Sequence, residues 1–139
     1  MRKPVVYVAG PYRGPTEAAV FANILAAREA SIGLWRLGFA PICPHLNSLL
    51  MGGAVTDSDF LQGDIEILAR CDAVLLLPNW NSSEGASGER NFAVREGLPL
   101  LVWERRKADG TMRVVDAVTG MEMRPGDVVD RWNKTGRIR

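Results

Sequence analysis

Two cysteines and one histidine are all that this 139-residue chain offers in the way of thiol or imidazole ligands. Cys43 and Cys71 have no Cys or His partner at metal-ligand spacing, and His45 stands alone. No metal site is therefore expected, and both cysteines are expected to be buried, reduced thiols. No apolar run reaches the roughly 18 residues of a membrane span. After Met1-Arg2-Lys3 only the short run Val5 to Ala9 follows, too little for the core of a signal peptide. Charge of one sign is lacking too: 17 Lys and Arg against 16 Asp and Glu leave a net charge of +1. That balance argues against a nucleic-acid polymer as partner and against an acidic, solvating chain. The expectation is a cytoplasmic protein without a membrane partner, folded as a single domain over residues 1–139, because roughly 100–200 residues make one domain.

What is present alternates between strand and helix signals. Val5-Val6-Tyr7-Val8-Ala9 is a continuous apolar run ended by Gly10-Pro11, as in a strand buried on both faces. Thr16 can cap a helix over residues 17–37, with Glu17 favoured in its first turn and Gly38 stopping it. Phe21, Ile24, Leu25, Ile32 and Trp35 are read as its core-facing stripe. Phe39 to Cys43 reads as a second strand with Pro44-His45-Leu46-Asn47 as its exit loop, and Leu49 to Thr56 is ambiguous. Asp57 or Ser58 can cap a helix to about Ala69. Ala73 to Leu77 is the clearest strand, Pro78 to Ser87 a polar loop, Gly88 to Arg95 a helix, and Leu98 to Trp103 a fourth strand. This order predicts an α/β fold with a parallel sheet of four to five strands and helices on both faces. The core spans about 4–103. In the extension, 104–139, turn signals at Asp109-Gly110 and Thr119-Gly120 suggest a hairpin over Thr111 to Met123, with a frayed tail from Asn133.

Ligands of an open parallel sheet bind outside the carboxyl ends of its strands. That rule selects the loops Gly10 to Pro15, Pro44 to Asn47 and Pro78 to Ser87. In the first, Gly10 permits close backbone approach and Arg13 offers a fork for phosphate or carboxylate, although an ordinary turn with a solvated arginine fits as well. The loop has neither the G-x-G-x-x-G nor the Gly-Lys-Ser/Thr pattern, so no dinucleotide and no phosphoryl transfer is implied, and no cofactor is expected. In the third, Ser83-Glu84-Gly85 leads toward Glu89, placed in or beside the first turn of a helix. The dipole there would keep its carboxylate ionised, as a nucleophile requires, or the residue simply stabilises a helix start. Asp64 lies mid-helix on the buried side and needs a reason: a loop cap, or a general acid in the cleft. Tyr7 in a buried strand needs a hydroxyl partner, which a cleft carboxylate or water would supply. Trp80 stacks on a base or merely packs. His45 lines the pocket or satisfies loop backbone.

Tyr7-Val8-Ala9-Gly10-Pro11, Asp64 with Asp72 beyond it, the strand Asp72 to Leu77, and Ser83 to Ala93 with Glu89 resemble the nucleoside 2-deoxyribosyltransferase superfamily over roughly Val5 to Val102. The resemblance implies a flavodoxin-like fold and cleavage of the N-glycosidic bond of nucleosides or nucleotides through a covalent glycosyl-Glu intermediate. It implies catalytic roles for Glu89 (nucleophile), Tyr7 (orienting it) and Asp64 (protonating the leaving base or contacting the sugar). It implies phosphate contacts for Arg13 and Ser83, while Gly10, Trp80, Gly85 and His45 are the further substrate-binding candidates of the three loops. Ser83 replaces the Asp of the transferases six residues before the nucleophile, and Arg13 follows Gly10 by three. Both resemble the branch that hydrolyses deoxynucleoside 5′-monophosphates. Base exchange between nucleosides is the alternative. Arg90-Asn91, where relatives carry Leu-Gly, would narrow the site and suggests a third reading, a silent nucleotide-binding module. The resemblance also implies a homodimer or higher homo-oligomer.

Overall fold

The computed structural model describes residues 2–135. Its elements are β1 (Val5–Ala9), α1 (Glu17–Leu37), β2 (Ala40–Ile42), α2 (Pro44–Asn47), α3 (Asp57–Leu68), β3 (Ala73–Leu76), α4 (Glu84–Glu96), β4 (Leu100–Arg105), β5 (Met112–Asp116) and α5 (Pro125–Thr135), with a 3₁₀ turn at Trp80–Ser82. The strands form one sheet in the order β2-β1-β3-β4-β5. The first four are parallel, and β5 returns antiparallel along β4. This is the strand order of the flavodoxin-like doubly wound fold. Right-handed crossovers put α1 on one face of the sheet and α3 and α4 on the other.

Local chemistry explains the helix bounds. The Thr16 side chain accepts from Ala19 N–H, and Gly38 ends α1 in the left-handed region at φ 95°. Thr56, rather than Asp57 or Ser58, caps α3 by accepting from Asp59 N–H, which leaves both Asp57 and Asp59 in the first turn. Pro44 to Asn47 is a short helix and not a plain exit loop, with Pro44 at its start. Within the turns from Leu49 to Thr56, Leu50 adopts φ 63° and Gly52 bridges to Val55.

The core is the sheet interior, Val6, Tyr7, Val8, Val74, Leu75 and Leu101, closed by Leu34, Phe39 and Leu68. Residues that α1 turns inward are Ile24, Ala27, Ala30, Ser31 and Leu34. Of the expected stripe only Ile24 is buried, because small side chains let the helix lie close to the sheet; Phe21, Leu25 and Trp35 face solvent. Cys43 and Cys71 are buried thiols with no disulfide between them.

The extension is more ordered than its sequence suggests. Instead of a self-contained hairpin over Thr111 to Met123, β5 pairs with β4 from Leu101↔Asp116 to Arg105↔Met112, and only a Val115↔Glu122 bridge continues past the turn. Asn133 to Thr135 belong to α5, whose Val128, Val129 and Trp132 are buried; the remainder of the expected frayed tail, 136–139, lies outside the described residues. Asp72, buried just before β3, accepts from both Nη atoms of Arg2 (2.8 and 3.2 Å) and from Val5 N–H (2.7 Å). Its carbonyl accepts from Trp132 Nε1 at 2.7 Å.

Candidate active site

The order of strand addition reverses between β1 and β3, so the crevice at their carboxyl ends is where this topology places a ligand. Tyr7 is fully buried in the middle of β1. Facing it is Glu89 on α4, on the inward stripe with Ala86 and Ala93. The Tyr7 hydroxyl donates to Glu89 Oε2. Asp64, half-buried on α3, is near enough for its charge to act on both. α3 and α4 lie side by side: a Cβ built on Gly85 would come 3.5 Å from Leu61 Cδ2.

The helix bound changes the electrostatics expected of Glu89. The Ser83 side chain caps α4 by accepting from Ala86 N–H, so the helix starts at Glu84 rather than Gly88. Glu89 therefore sits in the second turn and is buried, beyond the strongest part of the dipole. Burial pushes its carboxyl up to about 7; the Tyr7 hydroxyl opposes this and the Asp64 charge adds to it. The carboxylate is thus not held fully ionised, contrary to a first-turn placement. Burial also raises the Asp64 carboxyl, and burial followed by the Glu89 charge raises the Tyr7 phenol, which stays protonated as a fixed donor. Three groups that resist charge share one crevice, a pattern found at sites that move protons.

Around this centre the sequence-derived residues take varied positions. A Cβ on Gly10 would meet Leu77 Cβ at 2.7 Å, so Gly10 lets the end of β1 pack against the end of β3. Arg13 is exposed and paired with Asp57 in the first turn of α3. Asn23 holds that loop by donating to the carbonyls of Tyr12 (3.0 Å) and Arg13 (3.1 Å). Ser83 spends its hydroxyl oxygen on the cap. His45 is buried with Nε2 at 2.8 Å from the Pro11 carbonyl and its ring against Tyr12. It satisfies loop backbone, and burial lowers its pKa. Trp80 is partly buried against the core, with the Arg90 guanidinium 5.6 Å from its ring centre. Arg90 is partly buried over Trp80, and Asn91 is exposed. Neither Asp57 nor Asn23 carried a motif in the sequence: Asp57 pairs with Arg13, 44 positions away, and Asn23 with loop carbonyls that any residue could supply.

Among the described residues, no three or more His, Cys, Asp or Glu side chains gather as a metal site. Nor is any helix there long and apolar enough to cross a membrane. Two surface clefts lie away from Glu89. One, of about 530 Å³, runs between α1 and the β4–β5 hairpin past Arg28, Ile32, Arg36 and Trp103. A smaller one of about 160 Å³ is lined by Phe39, Arg106, Arg113 and Arg124 among others.

Over residues 4–102 the chain matches the family described as a domain of unknown function (DUF4406), and it belongs to that family. No curated protein matches it. Among solved structures, it is similar to the 2-deoxyribosyltransferase of the psychrotolerant bacterium Bacillus psychrosaccharolyticus, with 17% identity, TM-score 0.55 and 70% of each chain covered. A 2-deoxyribosyltransferase from Leishmania mexicana matches at 16% identity and TM-score 0.49, over 86% of this chain and 78% of the other. The first of these likenesses places the chain in the same α/β fold.

Proposed function

We propose that this family member is an N-glycosidase that hydrolyses the base–sugar bond of a (deoxy)nucleoside 5′-monophosphate. The observation that carries the reading is the hydrogen bond from Tyr7 to the buried Glu89, beside Asp64, at the reversal of strand order. The fold shared with 2-deoxyribosyltransferases supports the substrate class.

In the first step, ionised Glu89 attacks the anomeric carbon, the N-glycosidic bond breaks, and the leaving base takes a proton from Asp64. The two carboxyls raise each other's cost of charge, and the step requires the proton of the pair to sit on Asp64 while Glu89 is ionised. Water then attacks the glycosyl ester, Asp64 accepts the water's proton, and the sugar phosphate leaves with Glu89 restored. Tyr7 keeps the attacking carboxylate in one rotamer and lowers the cost of its charge. Arg13 and Ser83, at a loop and a helix N-terminus, would hold the phosphate and align the sugar. Gly85, in the first turn of α4, would let the ligand approach the helix N-terminus closely, and Trp80, with Arg90 on its ring, would stack on the base. The reading takes no cofactor and no metal.

One observation favours base exchange between nucleosides instead. Asp57 occupies the Arg13 guanidinium, so a phosphate must displace or share it. The deciding experiment is chromatography of base release from nucleosides and their 5′-monophosphates, with and without a second base, for wild type and Glu89→Gln. Release from monophosphates in water, absent in the variant, is expected. Release only when an acceptor base is supplied would establish exchange. Saturable binding with no release from any compound would establish the silent module.

A further inference from the structure

The cleft of about 530 Å³ between α1 and the β4–β5 hairpin has the size of a small-molecule site, since such pockets measure roughly 300–1,000 Å³. Its floor is apolar, with Ile32, Leu37, Trp103 and Met112. Gly33 leaves the space that the Met112 thioether fills, because a Cβ there would collide with Met112 Sδ. The rim is cationic. Arg28 and Arg36 stand about 12 Å apart along the α1 axis, and among the described residues neither pairs with an acid. Arg36 can serve the negative end of the α1 dipole, but Arg28 sits mid-helix with no acid three or four residues away on either side. Arg105, by contrast, is engaged twice, by Glu29 and by the Trp103 ring 5.2 Å from its guanidinium. The Trp103 indole N–H is buried with no acceptor among the described residues.

We propose that this cleft is a second binding site, for a small organic polyphosphate of the nucleoside di- or triphosphate kind. Its wall is rich in donors and, with Glu29 engaged, short of acceptors, which calls for an acceptor-rich anion. Guanidinium groups match phosphate in geometry as well as charge. Two of them spaced along a helix are bridged by a chain of phosphates better than by a single one. The apolar floor takes the organic part of the ligand. Met112, unbranched and adaptable, swings aside so that a ligand acceptor meets the Trp103 N–H. The cleft lies across the sheet from α3 and α4, so the site stands apart from the Glu89 crevice and does not rest on the reaction proposed for it.

Calorimetric titration of the full chain with ATP in EDTA at low salt is expected to show saturable binding at one site, at least about tenfold tighter than AMP and tighter than inorganic tripolyphosphate. The pair Arg28→Gln, Arg36→Gln is expected to weaken ATP binding roughly a hundredfold, and Trp103→Phe roughly fivefold. Both arginines are exposed, so far-UV dichroism and melting of the pair should stay unchanged. The pair Arg13→Gln, Arg70→Gln removes the same charge elsewhere and should leave the affinity as it is. Absence of ATP binding, or an equal loss in the two pairs, overturns the site. A loss in the Arg13 pair alone assigns the ligand to the Glu89 crevice and overturns it too. AMP binding as tightly as ATP overturns the polyphosphate, and tripolyphosphate binding as tightly overturns the organic part. An affinity untouched by Trp103→Phe overturns the indole contact.

Discussion

Burial, more than any formal charge nearby, sets the chemistry of Glu89. In the unfolded chain this carboxyl ionises near the usual 4.5, whereas in the fold it keeps its proton to about 7. Raising the pH between those values draws the proton from the unfolded state first, so stability falls across the window and is level above it. Glu89→Gln removes the titration and keeps the shape. The variant should be more stable than wild type at pH 8 by on the order of 3 kcal/mol relative to their difference at pH 4, read from urea melts at both pH values. The same ionisation governs attack, so kcat/KM should rise with pH through about 7. Tyr7→Phe removes the one hydrogen bond that favours the charged form, so that limb should move upward, with activity at pH 6 lowered at least about tenfold. An unmoved limb would mean that Tyr7 serves only packing. Glu89 was legible as a carboxylate near a helix start. Its burial was not, because that depends on Ser83 taking the cap and turning the Ala86–Glu89–Ala93 stripe inward.

Local signals fixed the elements well and their facing poorly. Thr16 and Gly38 mark both ends of α1 because capping is a contact within a few residues. Which side of α1 meets the sheet depends on the neighbours, and the alanine stripe that wins gives a weaker hydrophobic signal than the outward Phe21–Trp35 seam. α5 was missed although Pro125 at its start, Asp127 in its first turn and the spaced Val128, Val129 and Trp132 are all in the sequence. Its burial requires the sheet to be in place first. The close contact of β1 and β3 also makes a prediction at this scale. Gly10→Ala would force a Cβ against Leu77 Cβ, so a loss of roughly 1–3 kcal/mol is expected in denaturant melts. Ser83→Ala, which removes the α4 cap, should cost about 1 kcal/mol by the same measurement.

For the whole molecule, the family match ends at residue 102, yet Val114, Val128 and Trp132 beyond it join the same core cluster. A chain cut after Trp103 would bare the β4 edge and the face that α5 covers. It should lose its cooperative thermal transition by circular dichroism and aggregate. The alternating order of strands and helices was readable because each crossover is local. The contacts that assemble the crevice were not: Tyr7 and Glu89 are separated by 82 positions and Arg13 and Asp57 by 44.

Asp72 gathers Arg2, the start of β1 and, through its carbonyl, Trp132 of α5. Both ends of the described chain are therefore fastened at one spot, and the covalent order of the elements becomes separable from their spatial order. A circular permutant that joins residue 135 to residue 2 through a flexible linker and opens instead at the exposed turn of residues 107–110 would ask no strand to move. It should fold to the same sheet, with the Glu89 crevice intact and its chain ends relocated to the tip of the β4–β5 hairpin.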